Sequence, residues 1–190
     1  MTTNRALQAL LDKQAILDLL HAYCQASDRR DLEKLRSLYH GDAIDDHGAF
    51  FKGLASEFIE QLPTIQAPMR ILHHNLTTIN IVLDNDGADD CTYAEGEVYV
   101  SAYHRIRDEN GGLSDYVGGF RYLDQYRLEA GSWRFARRKL IIDWCTTAPA
   151  FWNPNQPWLP GTPIGTTDSN DQSYALNHPV FARRSVPSNH

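Results

Sequence analysis

Four long runs rich in β-branched and aromatic residues, Ile71 to Leu83, Cys91 to Arg107, Tyr116 to Leu128 and Trp133 to Trp144, limit what this chain can become. The separators between them, Asp84-Asn85-Asp86-Gly87, Glu109-Asn110-Gly111-Gly112 and Glu129-Ala130-Gly131, are short turn sequences. Strands joined this way are antiparallel neighbours, and strands this long must twist and curl. Ahead of them, apolar residues recur at helical spacing from Thr3 to about Gln25, with Thr3 as a candidate cap. A turn, Ser27-Asp28-Arg29-Arg30, follows, and Asp31 reads as the N-cap of a second helix whose Leu32, Leu35, Leu38 and Tyr39 share a face. Leu54 to Leu62 reads as a third helix stopped by Pro63. Helices followed by a curled meander predict an α+β fold: a cone-shaped, curved antiparallel sheet covered by N-terminal helices, with an internal pocket.

The chain has 190 residues, 42% of them hydrophobic, enough for one domain with a real core. We place that domain at residues 1–148. Residues 149–190 read as a Pro- and Trp-rich extension, packed on the domain or on a neighbouring subunit, with Trp152 and Trp158 as candidates to close a pocket. No run of eighteen apolar residues and no signal-peptide core is present, which predicts a soluble cytoplasmic protein. Cys24, Cys91 and Cys145 are widely spaced and suit a reducing compartment. A net charge of -6 argues against holding a phosphate backbone. The strongest basic cluster, Arg134, Arg137, Arg138 and Lys139, lies on a strand whose alternation divides it between two faces.

His73 and His74 stand at the start of the first long strand, and alternation sends them to opposite sides. A bare histidine is more often a surface or satisfied core residue, but Asp28 sits where the helix hairpin would cross the mouth of the sheet. A carboxylate there could hold the imidazole N–H, fix its tautomer and stabilise the imidazolium. Tyr23 could donate its phenol to a developing oxyanion, or simply pack in the core. Arg138 shares strand parity with Ala136, Leu140 and Ile142, so it faces an apolar side, either to bind substrate or to pair with Asp143 or Asp28. The segment Tyr39 to Gly48 is dense in ligand-type residues, with His47, Asp46 and His74 the metal ligands to suspect, but it has no recognisable metal spacing, and we assign none. Gly118-Gly119 within a strand marks a bulge or a close approach to a ligand.

The order Tyr23-x4-Asp28, Leu38-Tyr39-His40-x-Asp42-Ala43, His74 opening a strand, and Trp133 to Arg138 resembles the SnoaL-like branch of the nuclear transport factor two superfamily over residues 5 to 147. The resemblance implies an α+β cone, a homodimer or homotrimer, and proton transfer without a cofactor. The Tyr23–Asp28 spacing is similar to that of bile-acid dehydratases. In the hexachlorocyclohexane dehydrochlorinase pattern a strand-opening His is followed by two aliphatic residues at the distances of Ile79 and Ile81, which favours His74 over His73 and places Arg138 at the pocket arginine. That enzyme's pocket lysine is replaced here by Tyr23, which points away from haloalkane chemistry.

The expected activity is a lyase or isomerase acting on a hydrophobic hydroxylated aromatic, steroid or polyketide-like molecule by water elimination or a retro-aldol step. His74, Asp28, Tyr23 and Arg138 are the candidate catalytic residues, and Tyr39, His47, His73 and Trp144 the candidate substrate contacts. Neither nucleic acid nor membrane is an expected partner. The competing expectation is a non-catalytic ligand-binding module, or an accessory subunit similar to the small subunit of ring-hydroxylating dioxygenases.

Overall fold

The computed structural model describes residues 2–84, 91–151, 157 and 159–176. In chain order the elements are α1 (Thr2–Asp28), α2 (Leu32–Leu38), β1 (Tyr39–Asp46), β2 (Lys52–Leu54), α3 (Ala55–Gln66), β3 (Met69–Leu83), β4 (Tyr93–Arg107), β5 (Leu113–Glu129) and β6 (Ser132–Pro149). A 3₁₀ turn, Gln172–Ala175, lies in the C-terminal arm. The fold is α+β, with three helices against one curved, unclosed sheet. Among the described residues, no helix is long and apolar enough to cross a membrane.

The strand order is β2-β1-β6-β5-β4-β3. Strands β3 to β6 form the expected antiparallel meander. The sheet as a whole is mixed, however, because β1 runs parallel to β6. The reason is connectivity: the helix pair delivers β1 beside β6 from the same end of the sheet. The sequence alone showed only a polar, Asp-rich stretch there.

Three further boundaries differ from expectation. Thr3 lies inside α1, and the helix continues through Asp28, which is therefore its last residue. Tyr39 opens β1 rather than closing the second helix. Pro63 is contained within α3, where Leu62 and Gln66 on either side of it are buried and hold the last turn by packing. Asp31 does cap α2, accepting from the Lys34 N–H at 3.1 Å. The Ala130-Gly131 turn between β5 and β6 has positive φ at both residues, 49° and 74°, as a two-residue hairpin requires.

The core lies between the helices and one face of the sheet. Ile16, Leu20 and Tyr23 from α1 and Leu35 from α2 meet Val98, Tyr122, Tyr126 and Phe135. Burying each such aliphatic side chain contributes about 1.5–3 kcal/mol. Register shifts decide which residues reach this face. Leu76 pairs with Val100 but Ile79 with Val98, so β3 holds an extra residue between them. That bulge reverses the alternation and brings Ile79 and Ile81, an odd number of residues from His74, onto the same side as His74. A second shift, between Gly119 and Phe120, places the extra residue, Asp143, on β6 opposite the glycine pair. A Cβ on Gly119 would come within 2.2 Å of the Trp144 indole, and one on Gly118 within 2.5 Å of the Phe120 ring. The glycines make room for these two rings.

Trp152, Trp158, Phe181 and the turn residues Asn85 to Gly87 lie outside the described residues.

Candidate active site

Asp28 and His74 are joined twice. The His74 backbone N–H donates to Asp28 Oδ2 at 3.1 Å, and ring Nδ1 donates to Oδ1 at 2.6 Å. Asp28 comes from the end of α1 and His74 from β3, an element against which α1 packs. Both side chains are about nine-tenths buried. With both carboxylate oxygens engaged, the carboxylate can only accept from Nδ1, so the proton sits there and Nε2 is left as the basic nitrogen.

Cross-strand register defines the surface around His74. Its row runs His74, Ala102, Gly118, Cys145. The next row on the same face is Leu72, His104, Tyr116, Thr147. Ala102 and Gly118 are small and buried, and the Phe120 ring packs over Gly118. The His104 ring meets that of His74 edge-on, with centroids 5.3 Å apart. Among the described residues its Nε2 is buried without a hydrogen-bond partner. Burial, reinforced by the adjacent His74, pushes the His104 pKa down to about 4 against a smaller pull from Asp28. His104 is thus neutral at physiological pH and keeps an uncommitted nitrogen. It was not singled out from the sequence, although it ends an alternating inward series, Val98, Val100, Ala102.

Arg138 has no exposed surface. Its guanidinium is held bidentately by Asp124, with Nε to Oδ1 at 2.8 Å and Nη2 to Oδ2 at 2.6 Å. It lies 4.1, 3.9 and 4.2 Å from the ring centroids of Tyr23, Tyr122 and Phe135. Its partner is therefore neither Asp143 nor Asp28; Asp143 instead pairs with Arg121. A bulge explains the inward turn: Phe135 pairs with Tyr126 but Arg137 with Gln125, so Ala136 is the extra residue and both Phe135 and Arg138 point into the core. Burial lowers the Arg138 pKa, but Asp124, with smaller contributions from Tyr39 and Tyr23, more than reverses this, so the charge is retained. Nη1 of Arg138 is buried with no protein partner among the described residues. Burial pushes the Tyr23 phenol up to about 12, opposed by Arg138, so it stays protonated and able to donate.

Tyr39 packs on Tyr23 and Phe135, with ring centroids 6.4 and 5.0 Å away, and connects that aromatic cluster to His47 through Asp45. The Tyr39 hydroxyl donates to Asp45 Oδ2 at 2.9 Å, and His47 Nδ1 bonds Oδ1 of the same fully buried carboxylate. The His47 ring stacks on Phe58 at 4.4 Å. His73 and Trp144 are not brought to His74. His73 pairs with Tyr103, and Trp144 belongs to the row Asn75, Ser101, Gly119, both on the opposite face. A one-residue step from His74 or Cys145 is enough to put them there. The groove the structure shows, about 530 Å³, is also on that outer face, lined by residues such as Asn80, Glu97, Leu123 and Lys139. It is not on the dyad's side of the sheet.

Among the described residues, no group of three or more His, Cys, Asp or Glu side chains gathers at metal-ligand spacing. The three suspected ligands are engaged separately: His47 with Asp45, Asp46 with Lys52, and His74 with Asp28.

Residues 8–139 match the SnoaL-like domain, and the chain belongs to that family. Solved structures share the fold. A scytalone dehydratase-like protein from Novosphingobium aromaticivorans superposes with a TM-score of 0.63 at 23% identity, covering 80% of this chain and 94% of that one. A hexachlorocyclohexane dehydrochlorinase, LinA type 2, gives 0.66 at 18% identity, covering 80% and 99%. LinA type 3 from Novosphingobium barchaimii gives 0.65 at 17%, covering 75% and 94%. No curated protein matches the chain.

Proposed function

We propose that the protein is a cofactor-independent lyase that eliminates water, or a small carbonyl fragment by a retro-aldol step, from a hydrophobic hydroxylated ring compound of aromatic, steroid or polyketide type. The observation that carries this is the doubly bonded Asp28–His74 pair, which fixes the ring and leaves Nε2 as its basic nitrogen. For water loss, Nε2 takes a proton from the carbon next to the hydroxyl-bearing carbon, the C=C bond forms, and the hydroxyl departs with a donated proton as water. For the retro-aldol step it takes the hydroxyl proton instead, the C=O bond of the departing fragment forms as the C–C bond breaks, and the electron pair passes to the enolising oxygen. Asp28 stabilises the imidazolium that results. A departing or enolising oxygen then needs donors. His104 offers its uncommitted nitrogen next to His74, and Arg138 Nη1 and the protonated Tyr23 phenol are the further candidates. Structural relatives named as a dehydratase and a dehydrochlorinase carry names for eliminations, of water and of hydrogen chloride, which agrees with an elimination here.

The test is a panel of hydroxylated aromatics and steroids incubated with EDTA-dialysed protein and no added cofactor. Mass spectrometry should detect a product that has lost water or formaldehyde. Turnover that depends on an added metal, nicotinamide or flavin would overturn the reading.

A further inference from the structure

The segment Asp28-Arg29-Arg30-Asp31, which joins α1 to α2, is tied down residue by residue to different parts of the molecule. Asp28 holds His74. The Arg30 guanidinium reaches the backbone carbonyls of Gln66 and Met69, and its own backbone is left-handed, with φ 53°. Asp31 caps α2. Arg29 is ion-paired through Nε with Asp171 Oδ1 at 3.1 Å.

Asp171 is not a casual surface acid. It is 7% exposed and lies on the C-terminal arm, beyond the part of the chain that matches the family. Its carboxylate accepts from the Thr166 N–H at 3.0 Å, the Ser173 N–H at 3.0 Å and the Ser173 hydroxyl at 2.6 Å. The carboxylate therefore folds the arm around itself, and Oδ1, which takes both Ser173 donors, also faces the Arg29 cation as an ion pair without hydrogen-bond geometry. Close by in the arm, the Tyr174 hydroxyl makes a longer contact, 3.4 Å, with Asp31 Oδ2. The arm thus grips the connection on both sides of its left-handed residue.

We infer that Asp171 is a positioning residue for the Asp28–His74 pair, acting through Arg29. The inference rests on the acid–base reading of that pair. Asp28 must meet two donors of His74 at once, and the shorter contact, 2.6 Å, tolerates little displacement. Arg29 directly follows Asp28 in the chain. Loss of Asp171 leaves the Arg29 cation unmatched at that point, and its reorientation turns the end of α1. A left-handed arginine at the next position already strains the connection, so the arm supplies restraint that the local backbone does not.

The experiment uses the full chain and needs no substrate. The hydrogen-bonded Nδ1–H of His74 should give a downfield proton resonance, assigned by its loss in His74→Gln. In Asp171→Asn this resonance should broaden or vanish, and exchange of the His74 amide should quicken about tenfold relative to the amides of Val98 and Tyr126. Asp171→Glu should restore part of both effects. With an identified substrate, kcat should fall about tenfold with KM little changed. If Asp171→Asn does not fold, Arg29→Gln is measured instead, with the same expectations. A folded variant that lowers the melting temperature and quickens exchange uniformly, with the Nδ1–H signal intact, makes the arm a structural brace and overturns the proposal. Because these signals report geometry, their outcome is separate from that of the catalytic reading, which fails if turnover needs an added cofactor or if Asp28 or His74 proves dispensable for it.

Discussion

Asp28 meets His74 through both carboxylate oxygens, one on the ring nitrogen and one on the backbone N–H. The second bond makes the ring position a property of the strand as well as of the side chain. An asparagine at this position can still accept from one donor, but it brings no charge to stabilise an imidazolium. Asp28→Asn should therefore keep the fold while lowering kcat by about 10²- to 10⁴-fold. Steady-state kinetics alongside circular dichroism checks both halves.

His104 links the site to pH-dependent stability. Its folded pKa, about 4, lies below the ordinary histidine value of 6.5. The unfolded chain therefore binds the extra proton first, and stability falls as pH drops from 6.5 towards 4. The total is roughly 3 kcal/mol. His104→Gln should remove most of this slope in urea melts between pH 7 and pH 4.5, leaving the slopes from other groups.

Arg138 and Asp124 form a completely buried pair. Asp124→Ala leaves the guanidinium charged among Tyr23, Tyr122 and Phe135 and should cost about 3–5 kcal/mol. Replacing both, as Arg138→Met with Asp124→Leu, should cost far less than the single change. A double-mutant cycle by chemical denaturation measures the difference.

Ala130 takes φ 49° in the β5–β6 hairpin without the tolerance of glycine or asparagine. Ala130→Asn gives the Asn-Gly pair this turn favours and should stabilise the protein by about 0.5–1 kcal/mol. A higher denaturation midpoint at unchanged slope would show it.

Much of the fold could be read from alternation and turn residues, because a hairpin's register follows from local chemistry. The β1–β6 pairing could not, since parallel contacts between distant segments leave no local mark. Bulges set a similar limit. The extra residues near Thr77 and at Ala136 reverse strand parity, and with it the faces of Ile79, Ile81 and Phe135. Asp28 and His74 were legible because Asp28 follows the first amphipathic run and His74 lies in the early part of the first long β run. Asp124 was overlooked as the partner of Arg138, though a lone carboxylate between Tyr122 and Tyr126 is a signal of the same kind as an arginine between apolar residues. Asp171 gave no signal, because its importance comes from an arm that folds back over a hundred residues of sequence.

The central claim is that His74 is the base. The most direct measurement compares His74→Ala with the unsubstituted protein on a substrate found by the panel, without cofactor. The account predicts that His74→Ala retains its melting temperature to within a few degrees and loses at least about 99% of turnover. A folded His74→Ala protein with full turnover would contradict it.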